Sequence, residues 1–166
     1  YSAEEIKSKV KELAKQIEKD YAGEELLVVG ILKGASVFCA DLIREIDLDV
    51  RMDFMVVSSY GSSTESSGTV KIIKDLDVDI ENKNVLIVED IIDSGLTLSS
   101  LVAALKTRRP KSLKLCTLLD KPQRRTANID VDYVGYVIED KFIVGYGIDY
   151  DEKYRNLPYI GIVEDI

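Results

Sequence analysis

Between Val88 and Thr97 the chain reads Val-Glu-Asp-Ile-Ile-Asp-Ser-Gly-Leu-Thr. An apolar run leads into two adjacent carboxylates, Glu89 and Asp90. A third, Asp93, precedes a Ser94-Gly95 turn and a helical pattern from about Leu96. Each part has a chemical use. A turn that opens a helix presents unpaired backbone N–H groups and the positive end of a dipole, which together hold a phosphate. The Ser94 and Thr97 hydroxyls add donors, and Gly95 lets the backbone approach the anion closely. Glu89 and Asp90 suit sugar hydroxyls, or Mg²⁺ with its waters. The generic pattern is shared by many α/β proteins, in which Ser94 is a simple N-cap. No G-x-x-x-x-G-K-[ST] string is present, which argues against an ordinary Walker ATPase.

The composition narrows the chemistry further. The chain has 166 residues, which predicts one domain; 46% are apolar and 31% charged, as suits a globular protein with a sizeable core. There are 30 acidic and 22 basic residues, a net charge of −8, and no histidine. The missing imidazole excludes Ser-His-Asp and Cys-His nucleophile pairs and an HExxH zinc site. Catalysis must therefore use carboxylates, lysines, tyrosines, backbone groups or a hard metal ion. Cys39 and Cys116 both lie in apolar stretches and read as reduced core thiols of a cytoplasmic protein. The acidity argues against a sequence-independent nucleic-acid partner, which needs basic charge to displace counterions. No apolar run approaches the ~18 residues of a membrane span, and no signal peptide is visible.

The elements that must position these groups follow from hydrophobic period. Ser2 and Glu5 form a capping box, with Ile6, Val10, Leu13 and Ile17 on one helical face and Gly23 as a C-terminal cap. Leu26 to Ile31 predicts a buried strand, Ala35 to Ile46 a helix, and Val50 to Val57 a strand in which Met52, Phe54 and Val56 alternate with Arg51, Asp53 and Met55. Ser58 to Gly68 is almost entirely serine, glycine, threonine and tyrosine, too polar for core; a surface hairpin loop and a lid are both open. Strands follow at Val70 to Lys74, Asn84 to Val88, Lys114 to Leu119 and Tyr133 to Ile138, with shorter ones at Phe142 to Val144 and Tyr159 to Val163. A helix runs from about Leu96 toward Pro110. Alternation of strands and helices predicts an α/β fold with a mainly parallel twisted sheet flanked by helices. Ligands bind such sheets at the carboxyl ends of the strands.

The full Val88–Thr97 string resembles the phosphoribosyl pyrophosphate (PRPP) signature of type I phosphoribosyltransferases. Further segments narrow the likeness: Leu32-Lys33-Gly34, Ser59-Tyr60-Gly61, Leu119-Asp120-Lys121-Pro122, the run from Asp140 to Tyr150, and Lys153-Tyr154-Arg155-Asn156-Leu157-Pro158. In this order the chain resembles bacterial-type hypoxanthine-guanine phosphoribosyltransferases over essentially its whole length.

That resemblance implies Mg²⁺-dependent joining of a 6-oxopurine to PRPP, giving IMP or GMP and pyrophosphate. It implies a core at about 24–140 and a small hood built from the chain ends, about 1–20 and 141–166. The backbone from Asp93 through Gly95 and Leu96 to Thr97, with the Ser94 and Thr97 hydroxyls, would hold the 5′-phosphate. Glu89 and Asp90 would bind the ribose, directly or through metal; neighbouring strand residues face opposite ways, so the strand should end there. Asp93 would be the general acid/base near N7. Lys33 and Gly34 match a pyrophosphate loop whose Leu32-Lys33 bond the family holds cis, with Ala35 in place of a frequent second glycine. Arg155, Ser59 and Tyr60 would also serve pyrophosphate, with Arg125 a weaker addition beside Arg124. Lys121 would meet O6, Phe142 would stack on the purine, and the Ile143 carbonyl would meet its N1/C2 edge. Asp149 matches a Mg²⁺ ligand. The Ser58–Gly68 loop resembles the family's lid over PRPP. A homodimer or homotetramer is implied as well. The alternatives are a PRPP-binding regulatory protein of the same fold, and a transferase preferring xanthine or a pyrimidine.

Overall fold

The computed structural model describes residues 1–59 and 70–164. Tyr60 and most of the Ser58–Gly68 segment, including the proposed lid, lie outside the described residues.

Helix α1 (Ala3–Asp20) begins as its sequence predicts: the Ser2 side chain accepts the Glu5 N–H. Its buried face is Ile6, Val10, Leu13, Ala14 and Ile17. The C-cap is Tyr21 rather than Gly23, which lies in the following turn at φ +78°. There follow β1 (Leu26–Ile31), α2 (Ser36–Glu45), β2 (Val50–Ser59), β3 (Val70–Lys74), β4 (Asn84–Ile92), α3 (Leu96–Lys106), β5 (Ser112–Asp120) and β6 (Tyr133–Val137). Two short strands, β7 (Ile143–Val144) and β8 (Gly161–Ile162), pair with each other.

The six-stranded sheet has the order β3-β2-β1-β4-β5-β6, all parallel except β3, which runs antiparallel to β2. The chain winds outward both ways from the β1/β4 pair. Helix α2, after β1, packs with α1 in one core that holds Phe38, Cys39, Leu42, Val28, Leu86 and Val88. Helix α3, after β4, packs on the other face with Leu101, Leu105, Val29, Met55 and Ile87. The loops leaving β1 and β4 therefore diverge to opposite faces and leave a crevice between them, the switch point where such sheets bind ligands.

Three details depart from the sequence pattern. Strand β4 does not stop at Val88; it continues through Glu89 and Asp90 to Ile92, because β5 pairs with it that far, Ile92 opposite Asp120. In β2 the better buried positions are Asp53 and Met55, while Met52 is 46% exposed. Asp53 is buried because its carboxylate accepts the N–H groups of Phe54 (2.8 Å) and Asp77 (2.8 Å) and so anchors the chain after β3. The two short strands near the end are narrower than the apolar runs that predict them. Both cysteines are free and buried, and burial raises the Cys39 thiol to about 11. Among the described residues no helix is long and apolar enough to cross a membrane.

Candidate active site

The turn after β4 opens helix α3. Gly95 caps α3 at φ +78°, a left-handed conformation that glycine adopts without steric cost. The Ser94 hydroxyl accepts the Leu96 N–H at 3.3 Å. From behind, the Thr126 and Ala127 N–H groups donate to the Ser94 carbonyl at 3.0 and 3.1 Å, and Arg125 Nε donates to the Asp93 carbonyl at 3.2 Å. With its carbonyls so engaged at the rear, the turn keeps N–H groups for the front. A cavity of about 190 Å³ opens there, lined by Glu89 and by residues from Ile91 to Leu98. Ser59, at the end of β2, reaches its rim: Ser59 Oγ and Thr97 Oγ1 share a hydrogen bond at 3.0 Å.

Glu89 and Asp90 stand half-buried just before this turn. Burial and the neighbouring Asp90 carboxylate push the Glu89 carboxyl well above the usual range. Burial also raises Asp90, opposed by the Ile91 N–H that its Oδ1 accepts at 2.7 Å and by the more distant Arg155. Two crowded carboxylates of this kind favour a proton or a cation between them. Both acids lie within a continuous strand; Glu89 lines the cavity at the turn, and Asp90 packs against Gly34.

The loop after β1 faces them. The Leu32–Lys33 peptide is cis. Gly34 packs so closely on Asp90 that a Cβ built there would lie 2.8 Å from Asp90 Cγ and nearer still to Oδ2. On its other side, a Cβ on Gly147 would lie 2.6 Å from the Gly34 carbonyl oxygen. The loop is thus pressed between β4 and the loop after β7. Lys33 Nζ lies 3.2 Å from Glu152 Oε2.

On the opposite side, Lys121 is 8% exposed at the end of β5, with its N–H donating to the Ile92 carbonyl at 3.0 Å. Its Nζ lies 3.7 Å from both Asp93 Oδ1 and Asp140 Oδ1. Phe142 is 46% exposed, free of the core, and meets Tyr150 edge-on with ring centroids 5.3 Å apart. The Val163 N–H donates to the Phe142 carbonyl at 2.8 Å. In an antiparallel ladder the next pair, Ile143 opposite Ile162, then turns its N–H and C=O away from the partner strand. The Ile143 carbonyl is thereby left for another donor.

Asp149 Oδ2 accepts the Glu152 N–H at 2.9 Å, and Oδ1 lies 3.5 Å from Arg155 Nη2. Arg155 Nη1 donates to the Gly147 carbonyl at 2.8 Å, while its buried Nε has no partner among the described residues. Among those residues no three acidic, histidine or cysteine side chains converge as a metal cage.

A family model for the phosphoribosyl transferase domain matches residues 1–151. The chain belongs to the phosphoribosyltransferase family. Within that family it is similar to the hypoxanthine-guanine phosphoribosyltransferase of Bacillus subtilis strain 168, at 58% identity over 98% of this chain and 91% of that protein. A crystal structure of a hypoxanthine-guanine phosphoribosyltransferase from Bacillus anthracis, with HEPES in its active site, superposes with a TM-score of 0.94 at 59% identity, covering 98% and 95% of the two chains. A hypoxanthine phosphoribosyltransferase from Staphylococcus aureus gives 0.96 at 55%, covering 98% and 89%. The bifunctional protein TilS/HprT of Listeria monocytogenes is 55% identical over 163 residues, and this chain spans 25% of its length.

The phosphoribosyltransferase fold brings Glu89, Asp90, Asp93, Ser94, Gly95, Leu96, Thr97, Lys33, Gly34 and Ser59 to the β1/β4 crevice and its rim. Lys121 reaches it through Asp93, and Asp149 and Arg155 through Glu152 and Lys33. Arg125 pairs with Asp120 and donates through Nε to the Asp93 carbonyl, behind the turn. Asp140, Glu152 and Gly147 are missed by sequence reasoning. Asp140 opens the Asp140–Tyr150 run with no role of its own, and Glu152 carries no local signal in an acidic chain. Gly147 lies inside the Asp140–Tyr150 run, but only the fold shows what presses on it.

Proposed function

We propose that this protein transfers the phosphoribosyl group of PRPP to hypoxanthine or guanine, giving IMP or GMP and pyrophosphate. The observation that carries this reading is Lys121 Nζ placed 3.7 Å from Asp93, at the edge of a phosphate-shaped turn. A buried ammonium there donates to a 6-oxo group and finds no acceptor on a 6-amino group, while Asp93 accepts the N7 proton as the base attacks C1′. The turn from Asp93 to Thr97 holds the 5′-phosphate, and Glu89 and Asp90 take the ribose hydroxyls. Lys33, the Gly34 backbone, Ser59, Tyr60 and Arg155 receive pyrophosphate. Phe142 stacks on the purine and the Ile143 carbonyl reads its N1/C2 edge. Closing these groups around PRPP fixes the reactants and excludes water from a centre that develops oxocarbenium character.

The donor set fits Mg²⁺ of the kind that arrives with a phosphate substrate: carboxylates at Asp149 and at the crowded Glu89/Asp90 pair, with no all-protein cage among the described residues. Bound there, the ion would neutralise charge on the leaving pyrophosphate. We further propose a core at about 24–140 and a hood from the two chain ends. The Tyr1 and Ile160 backbones, bonded to each other at 3.0 Å, support the hood. Cytoplasmic location and assembly into a homodimer or homotetramer complete the proposal, supported respectively by the free buried thiols and by exposed Met52 and Ile73.

The test is PRPP with each of hypoxanthine, guanine, xanthine, adenine and uracil, with and without Mg²⁺, following nucleotide and pyrophosphate. Turnover of hypoxanthine or guanine that needs Mg²⁺ is the expected result. Turnover of xanthine or uracil alone would reassign the substrate, and PRPP binding without turnover of any base would leave a regulatory protein.

A further inference from the structure

Lys33 and Arg155 approach the crevice from different loops, one after β1 and one in the segment between β7 and β8. Both meet the same side chain. Glu152 Oε2 lies 3.2 Å from Lys33 Nζ, and Glu152 Oε1 lies 3.3 Å from Arg155 Nη2. One carboxylate thus gives an oxygen to each cation, as a phosphoryl group would. The backbone holds it in that position. Asp151, Glu152 and Tyr154 all have positive φ, at 52°, 63° and 77°, a region that non-glycine residues keep only where their surroundings impose it. The Glu152 N–H is tied to Asp149 Oδ2 at 2.9 Å.

We propose that Glu152 is an internal occupant of the pyrophosphate subsite, and that it sets the affinity for PRPP and pyrophosphate by competing for Lys33 and Arg155. The inference rests on the reading of these two cations as pyrophosphate contacts. It adds an affinity-determining residue that touches neither base nor ribose. The Glu152 and Lys33 side chains are 65% and 69% exposed, so these pairs are weak and readily exchanged. Glu152 is therefore a soft competitor. It keeps the cations placed when the subsite is free and favours departure of pyrophosphate after transfer. Its effect falls on ligands that carry the pyrophosphate group and not on the free base.

The test is Glu152→Gln, which keeps size and removes charge, with Glu152→Asp as the charge-retaining control. Calorimetry with inorganic pyrophosphate at low salt gives Kd, and steady-state assays give KM for PRPP and for hypoxanthine. Loss of one exposed pair and one half-buried pair predicts a three- to tenfold tighter Kd and lower PRPP KM, at the order of magnitude such pairs carry, with hypoxanthine KM unchanged. The gain should shrink at ~0.5 M salt, where exposed charges are screened, and fall to the share carried by Arg155 in a Lys33→Met background. Equal or weaker pyrophosphate binding by E152Q, with a melting temperature near wild type, would overturn the inference. If wild-type protein binds neither PRPP nor pyrophosphate, the reading of the subsite itself fails instead.

Discussion

Gly34→Ala separates activity from stability. No positive φ is needed at Gly34, so the backbone accepts alanine; the obstacle is Asp90. The new Cβ would sit 2.8 Å from Asp90 Cγ, against an ordinary contact of 3.4 Å or more. The carboxyl must retreat by roughly 0.6 Å at Cγ and further at Oδ2, or the loop must move instead, since close-packed neighbours leave no slack. Either movement separates the loop proposed to hold pyrophosphate from the acids proposed to bind the ribose. A displacement of ~1 Å costs on the order of 100-fold in rate, so a loss of about 30- to 100-fold in kcat/KM is expected, or roughly 2–3 kcal/mol of transition-state stabilisation. The fold has less at stake. Asp90 gives up its hydrogen bond to the Ile91 N–H, worth about 1 kcal/mol, and the reduced freedom of the unfolded chain returns about 0.4–1 kcal/mol. The melting temperature should then move by no more than about 4 °C. The assay pairs kcat/KM for PRPP, from IMP formation, with calorimetric melting of the ligand-free protein. Wild-type kcat/KM in the variant would refute the reasoning, as would an activity loss matched by a melting temperature more than ~10 °C lower.

Other expected outcomes follow the same geometry. Asp93→Asn keeps a hydrogen-bonding side chain but removes the proton acceptor; it should lose turnover by about 100-fold or more while PRPP still binds, and unimpaired turnover would remove Asp93 from acid/base work. Lys121→Gln loses a charged hydrogen bond of about 1.5–3 kcal/mol, so the hypoxanthine KM should rise about 10- to 100-fold with little change in PRPP binding; measuring both constants checks the division of labour. For Glu89, burial and Asp90 raise the folded-state value above the unfolded one, so the folded protein holds its proton to higher pH and loses stability as pH rises through that range. Glu89→Gln should therefore stabilise the ligand-free protein at pH ~8, with the difference closing as pH falls toward the ordinary glutamate range; a gap that widens in acid would contradict the sign.

Much of the sheet and the face of α1 can be read from period and burial. Leu26–Ile31 is a fully buried apolar run, and Ile6, Val10, Leu13 and Ile17 fall inside together. The extent of β4 is less legible, because Glu89 and Asp90 look like a strand end. What keeps them in the sheet is parallel pairing to β5, with Glu89 opposite Thr117, and pairing partners far along the chain leave no local mark. The inward face of β2 is hidden for a similar reason: one of the two N–H groups that the buried Asp53 carboxylate accepts comes from the returning chain at Asp77. At the site, the Val88–Thr97 string carries its own pattern of acids, turn and helix start. Glu152 and Asp140 do not, since acids in short charged stretches, Glu139-Asp140-Lys141 and Asp151-Glu152-Lys153, read as surface until the fold sets a distant lysine beside them.

The pressing of Gly147 against the Gly34 carbonyl has a genetic consequence. A Cβ at Gly147 would meet the Gly34 carbonyl oxygen at 2.6 Å, so a side chain there requires the loop after β1 to yield. A side chain introduced at Gly147 therefore injures the loop after β1, whose Ala35 is already fully buried. Second-site suppressors of the steric part of such a lesion belong around Lys33 to Ala35, across the crevice, while the strain of a side chain at φ +96° stays in the Gly147 backbone.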